Sequence, residues 1–331
     1  MTGARETERK LPLVSVVIPC RNEARFIPEC LESVLASDYP RDRVEVFVVD
    51  GLSEDGTVEI VQGIAARDPR VRLLRNPQRI TPVAMNLGVR AARGDVIVIA
   101  GAHATYRPDY LSRCIRALLE NGADNVGGVM HSVSRVGGPV AVAIAAVTSH
   151  WFGVGGSRFR VHPNRPVWVD TVFGGCYRRE VFERIGLFNE RLARGQDMEF
   201  NRRLRLAGGR TLLQPDIRCD YYARSTLREF WRHTWTNGVW AIIPFLHSPV
   251  MPVSWRHLVP LAFVMMLGGL GLLAAFAPLG AWLLAAVAVG YGLGALVAAA
   301  EVAVRKRAAG LLLTMPPLFV MLHLVYGMGS L

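Results

Sequence analysis

The chain has 331 residues, 51% of them hydrophobic, and a net charge of +11 carried almost wholly by Arg, since Lys occurs only at Lys10 and Lys306. That excess suits anionic lipid or phosphate-bearing ligands, and with no Lys/Arg run interleaved with aromatics it excludes a nucleic-acid groove. Five scattered cysteines without a Cys-x-x-Cys pair exclude a disulfide framework and a zinc site, and read as reduced core thiols.

The N-terminal stretch MTGARETERK is polar and has no apolar h-region, so no signal peptide is expected and residues 1–11 form a polar tail. The run VSVVIPC from Val14 reads as a parallel strand covered on both faces, followed by an Arg21-Asn22-Glu23 turn. Ile27, Leu31, Val34 and Leu35 then fall on one helical face. A second strand, Val44–Asp50, ends in a turn in which Gly51 and Gly56 permit tight geometry and Ser53 or Asp55 can cap the next helix. A third strand, Val71–Leu74, a helix from about Pro82, and a fourth strand, Asp95–Ala100, complete the pattern, with Gly101-Ala102-His103 at the last strand's end. Four β–α units in succession imply right-handed crossovers and a parallel sheet. Ligands bind beyond the carboxyl ends of such strands. Glu23, Asp50, Asp55 and His103 are therefore expected to be neighbours; an ordinary surface turn is the alternative for the Arg-Asn-Glu motif.

The middle is less regular. Asn125–His131 is a candidate fifth strand, and Pro139–Val147 a buried or membrane-grazing helix too short to span a bilayer. Val167–Tyr177 is strand-like with Gly174 and Gly175 inside, which marks either a bend or a close approach by a ligand or another backbone. Gln196-Asp197-Met198-Glu199 opens a helix, and Thr211–Leu213 is a last short strand. From Thr226, Trp and Phe alternate with Arg and His, as in a helix lying at a membrane interface. Three apolar stretches follow, at about 258–276, 279–300 and 308–327, each near the roughly 20 residues that cross a bilayer. The positive-inside rule puts Arg256 and the Arg305-Lys306-Arg307 loop in the cytoplasm and the C-terminus outside. The resulting division is 12–224 soluble, 225–257 interfacial and 258–331 membrane-embedded.

Taken together, VSVVIPCRNE, VVDGLSEDGT, AMNLGVRAARG, GGCYRREVFERIGLFNE and GQDMEFNRRLR resemble a membrane-anchored family 2 glycosyltransferase. The resemblance runs over roughly Pro12–Ala223 and is nearest to the bacterial succinoglycan and exopolysaccharide type. It implies an α/β GT-A (Rossmann-like) fold, with a mostly parallel sheet, helices on both faces and C-terminal transmembrane helices. It also implies inverting transfer of a sugar from a nucleotide diphosphate sugar, UDP-linked by expectation, to a polyprenyl-linked acceptor at the cytoplasmic face of the bacterial inner membrane. Positions matching Pro19, Glu23, Asp50 and Asp55, with Ala102 and His103, would line the nucleotide-sugar pocket, although Asp55 reads equally as a helix cap. Asp197 matches the general base, with Gln196 before it. Glu199 is the fallback base, or a partner of Arg202 or Arg203 on a solvated face. Gly174, Gly175, Gln196 and Arg232 match segments near the donor sugar and acceptor.

Two departures stand out. Gly101-Ala102-His103 occupies the place of the family's usual Asp-x-Asp, which holds Mg²⁺ or Mn²⁺. His103 is then the candidate ligand, better suited to Mn²⁺ than to Mg²⁺, and Arg side chains could neutralise the leaving diphosphate instead. The interface helix keeps only Arg232 of the processive Gln-x-x-Arg-Trp motif, which argues against a polymerase. The competing reading is a catalytically silent relative that binds a nucleotide sugar and serves as a scaffold in an export complex.

Overall fold

The computed structural model describes residues 11–161, 163–248, 250 and 254–331. The polar tail over 1–10 and residues 251–253 of the interfacial segment lie outside them. The soluble part opens with β1 (Val14–Cys20), α1 (Ile27–Leu35), β2 (Val44–Asp50), α2 (Thr57–Ala65), β3 (Val71–Arg75), α3 (Thr81–Ala91) and β4 (Val96–Ile99). It continues with β5 (Ala104–Tyr106), α4 (Tyr110–Glu120), β6 (Asn125–Val133), α5 (Pro139–Val147), α6 (Trp151–Val154), α7 (Arg158–Val161) and β7 (Val167–Val169). Then come β8 (Cys176–Arg178), α8 (Arg179–Ile185), α9 (Gln196–Leu206) and β9 (Thr211–Tyr222). The chain ends in α10 (Leu227–Ile242), α11 (Pro244–His247), α12 (Val259–Phe276), α13 (Pro278–Lys306) and α14 (Leu311–Ser330).

One nine-stranded sheet runs β3-β2-β1-β4-β8-β6-β9-β5, with β7 also paired to β9. The first four strands are parallel, as the β–α repeats dictate. Beyond them β8 lies antiparallel between β4 and β6, and β5 and β7 pair antiparallel with β9. The continuous apolar run of β1 has its cause here. Val14, Val16, Ile18 and Cys20 enter one core beneath α1 and α4, while Val17 enters the other beneath α3, α8 and α9. A helix covers each face. The packing is close: a Cβ on Gly88 of α3 would lie 2.2 Å from Val17 Cγ1.

The sequence reading needs three adjustments. β9 is twelve residues long, not three. Pro215 and Asp216 read as a break, yet the pairing with β6 steps from Gly128↔Gln214 to Val129↔Arg218. A bulge absorbs the proline, which has no N–H to give the ladder. The segment expected as one strand over Val167–Tyr177 is two, β7 and β8, separated by the glycine pair. The third adjustment concerns the membrane helices.

α12 and α13 form a hairpin. At 1.5 Å per residue α12 is about 27 Å long and α13 about 43 Å, against roughly 30 Å of hydrocarbon. α12 buries none of its residues, and in α13 the buried ones apart from Gly280 all lie at Ala295 and beyond. The far end of α13 thus leaves the lipid-facing hairpin and packs with α5 and the first half of α14 in a core that includes Ile144, Ala299, Val302, Met315 and Phe319. α14, long and apolar enough to span, rests its last turn on α10, where Ser330 Oγ donates to Gly238 O at 3.0 Å, and a Cβ on Gly327 would meet Pro260 O at the start of α12. The start of α12 is itself clasped to the soluble domain, Ser254 Oγ donating to Asp170 at 2.8 Å and Arg256 pairing with it at 3.2 Å. α14 therefore packs on α5 and α13 with its first half and on α10 and the start of α12 with its last turn. α10 opens on Thr226, whose Oγ1 accepts from Glu229 N, and exposes the stacked pair Trp231–Trp235, as an interface helix should.

Candidate functional site

A cleft of about 390 Å³ lies beyond the carboxyl ends of β1, β2 and β4. The loops after β1, β2 and β3 each hold a non-glycine residue in the left-handed region: Asn22, Leu52 and Arg79, with φ of 56°, 58° and 60°. Leu52 and Arg79 adopt this conformation at a cost. The first two loops are laced together. Asn22 N donates to Ser53 Oγ at 2.8 Å, Glu23 N to Thr57 Oγ1 at 2.8 Å and Ala24 N to Asp55 Oδ2 at 3.0 Å. Asp50, 1% exposed, binds Ser53 through its backbone N–H and its hydroxyl. Asp50 and Asp55 thus sit under the rim and hold it, whereas Pro19, Glu23, Gly51, Ala102 and His103 line the cleft itself. Burial works against the charge on Asp55, but hydrogen bonds from Thr57 and Ala24 outweigh it and hold the carboxyl below its ordinary value. The helix-cap alternative for Asp55 therefore describes where its oxygens go.

Glu23 and His103, eighty residues apart in sequence, meet with Nε2 2.8 Å from Oε1. Phe26 packs on the imidazole at 4.4 Å. Glu23 Oε2 and His103 Nδ1 are buried with no hydrogen-bond partner. Among the described residues there is no group of three or more His, Cys, Asp or Glu placed to hold a metal. The pair offers one carboxylate and one imidazole, a set that fits a divalent cation only where substrate phosphates complete the shell. Gly101 is closed over by Phe173, whose Cζ would lie 3.0 Å from a Cβ there.

Across the cleft stands the opening turn of α9. Asp197 lines the cleft half-buried. Desolvation raises its carboxyl above the usual range, opposed by backbone N–H groups and by the charge of Arg160. Gln196 also lines the cleft, and its Oε1 is buried without a hydrogen-bond partner. Glu199 is not on a solvated face. It is 1% exposed and binds Arg203 through both oxygens at 2.8 and 2.9 Å, while Arg203 also donates to the Leu187 carbonyl. It is a buried structural pair, not a spare base. Gly174 and Gly175, at φ 67° and 122°, let the chain turn onto the end of β4, where Ile99 N donates to Gly175 O at 2.9 Å. A side chain at Gly174 would strike Ile99 O. Gly174 lines the cleft too, so the bend and the close approach are one feature.

Arg232 corrects an expectation. It is exposed and stands apart from the cleft lining. One residue on, about 100° around the helix, His233 faces the catalytic domain, its Nδ1 3.5 Å from Arg194 Nη1. Burial first, then the positive charge of Arg194, Arg224 and Arg160, holds this imidazole down at about 3. Arg21, the first residue of the Arg-Asn-Glu turn, lines the cleft, as do four residues that the sequence reading did not single out: Arg79, Phe173, Tyr221 and Arg224. Only Arg79 had a local cue, because buried Asn76 folds the loop that presents it, bonding Ile80 O at 2.9 Å and Gln78 N at 3.1 Å.

The family described as Glycosyl transferase family 2 matches residues 15–186. The chain is 34% identical to the succinoglycan biosynthesis protein ExoA of Rhizobium meliloti over 84% of each protein. It is 29% identical to a dolichyl N-acetyl-α-D-glucosaminyl phosphate 3-β-D-2,3-diacetamido-2,3-dideoxy-β-D-glucuronosyltransferase of Methanococcus voltae, covering 68% of this chain and 71% of that one. Among solved structures it is similar to a mannosyltransferase from Pyrobaculum calidifontis in complex with GDP-Man and Mn²⁺. The TM-score is 0.59 at 23% identity, over 97% of this chain and 88% of that one. This likeness bears on fold, and the fold is the GT-A type with apolar C-terminal helices.

Proposed function

This chain belongs to the family 2 glycosyltransferases, related to proteins of exopolysaccharide and lipid-linked glycan synthesis, and on that premise we propose an inverting transfer from a UDP-linked sugar to a polyprenyl-linked glycan at the cytoplasmic membrane face. The observation that carries this reading is the desolvated carboxylate of Asp197 facing the cleft beside the unpartnered Gln196 Oε1. A general base removes the acceptor proton as the anomeric carbon is attacked from the opposite face. A carboxylate whose pKa is raised towards the working pH accepts that proton more readily than an ordinary one. Gln196 orients a sugar hydroxyl, and Gly174 allows the sugar close to the backbone. The loops after β1, β2 and β3, held by Asp50, Ser53, Asp55 and Asn76, receive the nucleotide.

A divalent cation, held by Glu23 and His103 with the donor diphosphate, would supply positive charge against the leaving group. Arg21 and Arg79 bring fixed positive charge to the same cleft. The membrane acceptor fits the placement of the cleft beside α10 and the apolar helices. The positive charge of Arg305-Lys306-Arg307 supports a cytoplasmic catalytic domain, and the inner membrane of a bacterium is the proposed location.

The test is transfer by detergent-solubilised protein with a panel of UDP- and GDP-sugars and a polyprenyl diphosphate-linked acceptor. Asp197→Asn keeps shape and removes basicity, so transfer is expected to fall at least about a hundredfold with donor binding retained. Undiminished transfer in that variant would remove the base from Asp197. A wild-type protein that binds nucleotide sugars and turns none over would be the silent scaffold.

A further inference from the structure

Four basic groups converge on the membrane side of Asp197 from segments remote in sequence. Arg160 lies on α7, Arg194 two residues before Gln196, Arg224 two residues beyond β9, and His233 on α10. Arg194 Nη1 donates to Asn237 Oδ1 at 2.9 Å, tying the loop before Asp197 to α10. Arg224 lines the cleft, and Arg160 lies close enough to Asp197 for each to feel the other's charge. The ion pairs of the described residues within 4 Å use other arginines. The protein thus gathers three guanidinium groups of which, among the described residues, none forms such an ion pair, with Asp197 the one carboxylate whose charge Arg160 feels. Burial depresses the Arg194 guanidinium, and the charge of Arg224 adds to it. Like charges held so are stabilised when a ligand brings the anion.

Resting on the transferase reading, we infer that Arg160, Arg194 and Arg224 form a site for the diphosphate linkage of the lipid-borne acceptor, separate from the place of the donor's diphosphate. The guanidinium fork matches phosphate oxygens in pairs. Position selects the acceptor over the donor. The donor's nucleotide end belongs with the loops of β1–β3, whereas this cluster is bonded through Arg194 to α10, the helix on which α14 packs. An acceptor anchored in the membrane carries its anionic linkage between lipid and sugar. With that linkage on the cluster, its sugar hydroxyl lies towards Asp197. His233, neutral beneath the cluster, packs there without adding to the repulsion.

The experiment measures binding of geranylgeranyl diphosphate to the detergent-solubilised full chain, with geranylgeraniol, inorganic pyrophosphate and phosphatidylglycerol as competitors. Binding of UDP and GDP is measured in parallel. Wild type is expected to bind geranylgeranyl diphosphate at least about tenfold more tightly than geranylgeraniol. Arg194→Gln and Arg224→Gln are each expected to weaken it at least about tenfold, the loss typical of a charge-assisted contact, and Arg194→Lys to recover part of it. Affinity for the preferred nucleotide should stay within about twofold, which also shows the variants folded. Unchanged geranylgeranyl diphosphate binding in the variants overturns the inference. So does a parallel loss of nucleotide affinity, which would give the cluster to the donor, or equal displacement by phosphatidylglycerol, which would make it a headgroup site. Arginine-dependent binding in a wild-type protein that transfers no sugar would support the anion site and sink the transferase reading instead.

Discussion

The two walls of the cleft are made in different ways. The wall proposed to receive the nucleotide comes from loops after consecutive parallel strands, each one turn from the strand that positions it. The other side takes Asp197 and Tyr221 into the lining from α9 and β9, with Arg160 of α7 and His233 of α10 close enough to act on its charges. The first is rigid by local hydrogen bonding. The second depends on where the membrane part docks, so perturbing the docking should reach one wall and spare the other.

The largest expected effect concerns that docking and is all-or-none. Ser330 bonds α10 and Asn237 of α10 bonds Arg194, so the end of α14 packs on the helix tied to the soluble domain. From this contact α12 and α13 are expected to cross, while α14, long and apolar enough to span, is expected not to. A C-terminal reporter active only in the cytoplasm is expected to be bright and a phosphatase active only outside to be silent. The reverse pattern would restore three spans and detach α14 from α10.

Next in size is the acid limb of the rate. Asp197 has a raised folded-state pKa from desolvation, so the base is lost as pH falls through a value above the ordinary carboxylate range. The same shift has a sign for stability. A group whose folded pKa exceeds its unfolded value favours the fold at low pH and loses that contribution as pH rises through the folded value. Asp197→Asn should therefore be slow, and at neutral pH at least as heat-stable as the wild type. A variant both slow and much less stable would make the carboxylate structural.

Glu199→Gln should show the opposite split. It leaves Arg203 largely buried without its anion, at a cost of about 3 kcal/mol of stability, while transfer per folded molecule stays within about twofold. A hundredfold slower but stable protein would move the base to Glu199.

The sequence is legible where structure is local. The β1–β4 repeats, the rim residues Glu23, Asp50 and Asp55, and the glycine pair follow from apolar runs and turn chemistry within short windows. β9 was cut short because Pro215 masks a strand that continues past it through a bulge in β9 itself. Arg160 and Arg224 stand in stretches that look like plain loop, and only pairing across more than fifty residues brings them to Asp197. Arg232 and His233 differ by one residue, and the helix phase that decides which faces the cleft is set by packing on α14, invisible in a helix with aromatics all round. The hydropathy of α14 satisfies a spanning helix by length and composition; its partners, not its residues, decide its path.

The smallest expected effect is at the end of β4, where the two walls meet. Gly101 carries no left-handed φ, so the backbone accepts a side chain, but Phe173 Cζ lies 3.0 Å from where the Cβ would go and must give. Gly101→Asp adds a hard oxygen ligand beside His103. Mg²⁺ prefers oxygen and tolerates imidazole less well than Mn²⁺ does, so the ratio of Mg²⁺- to Mn²⁺-supported transfer is expected to rise a few-fold in this variant. Absolute activity should fall modestly as Phe173 moves. A folded variant with an unchanged ratio would show that this strand end does not carry the cation, and full wild-type activity in EDTA would assign the leaving diphosphate to the arginines of the cleft.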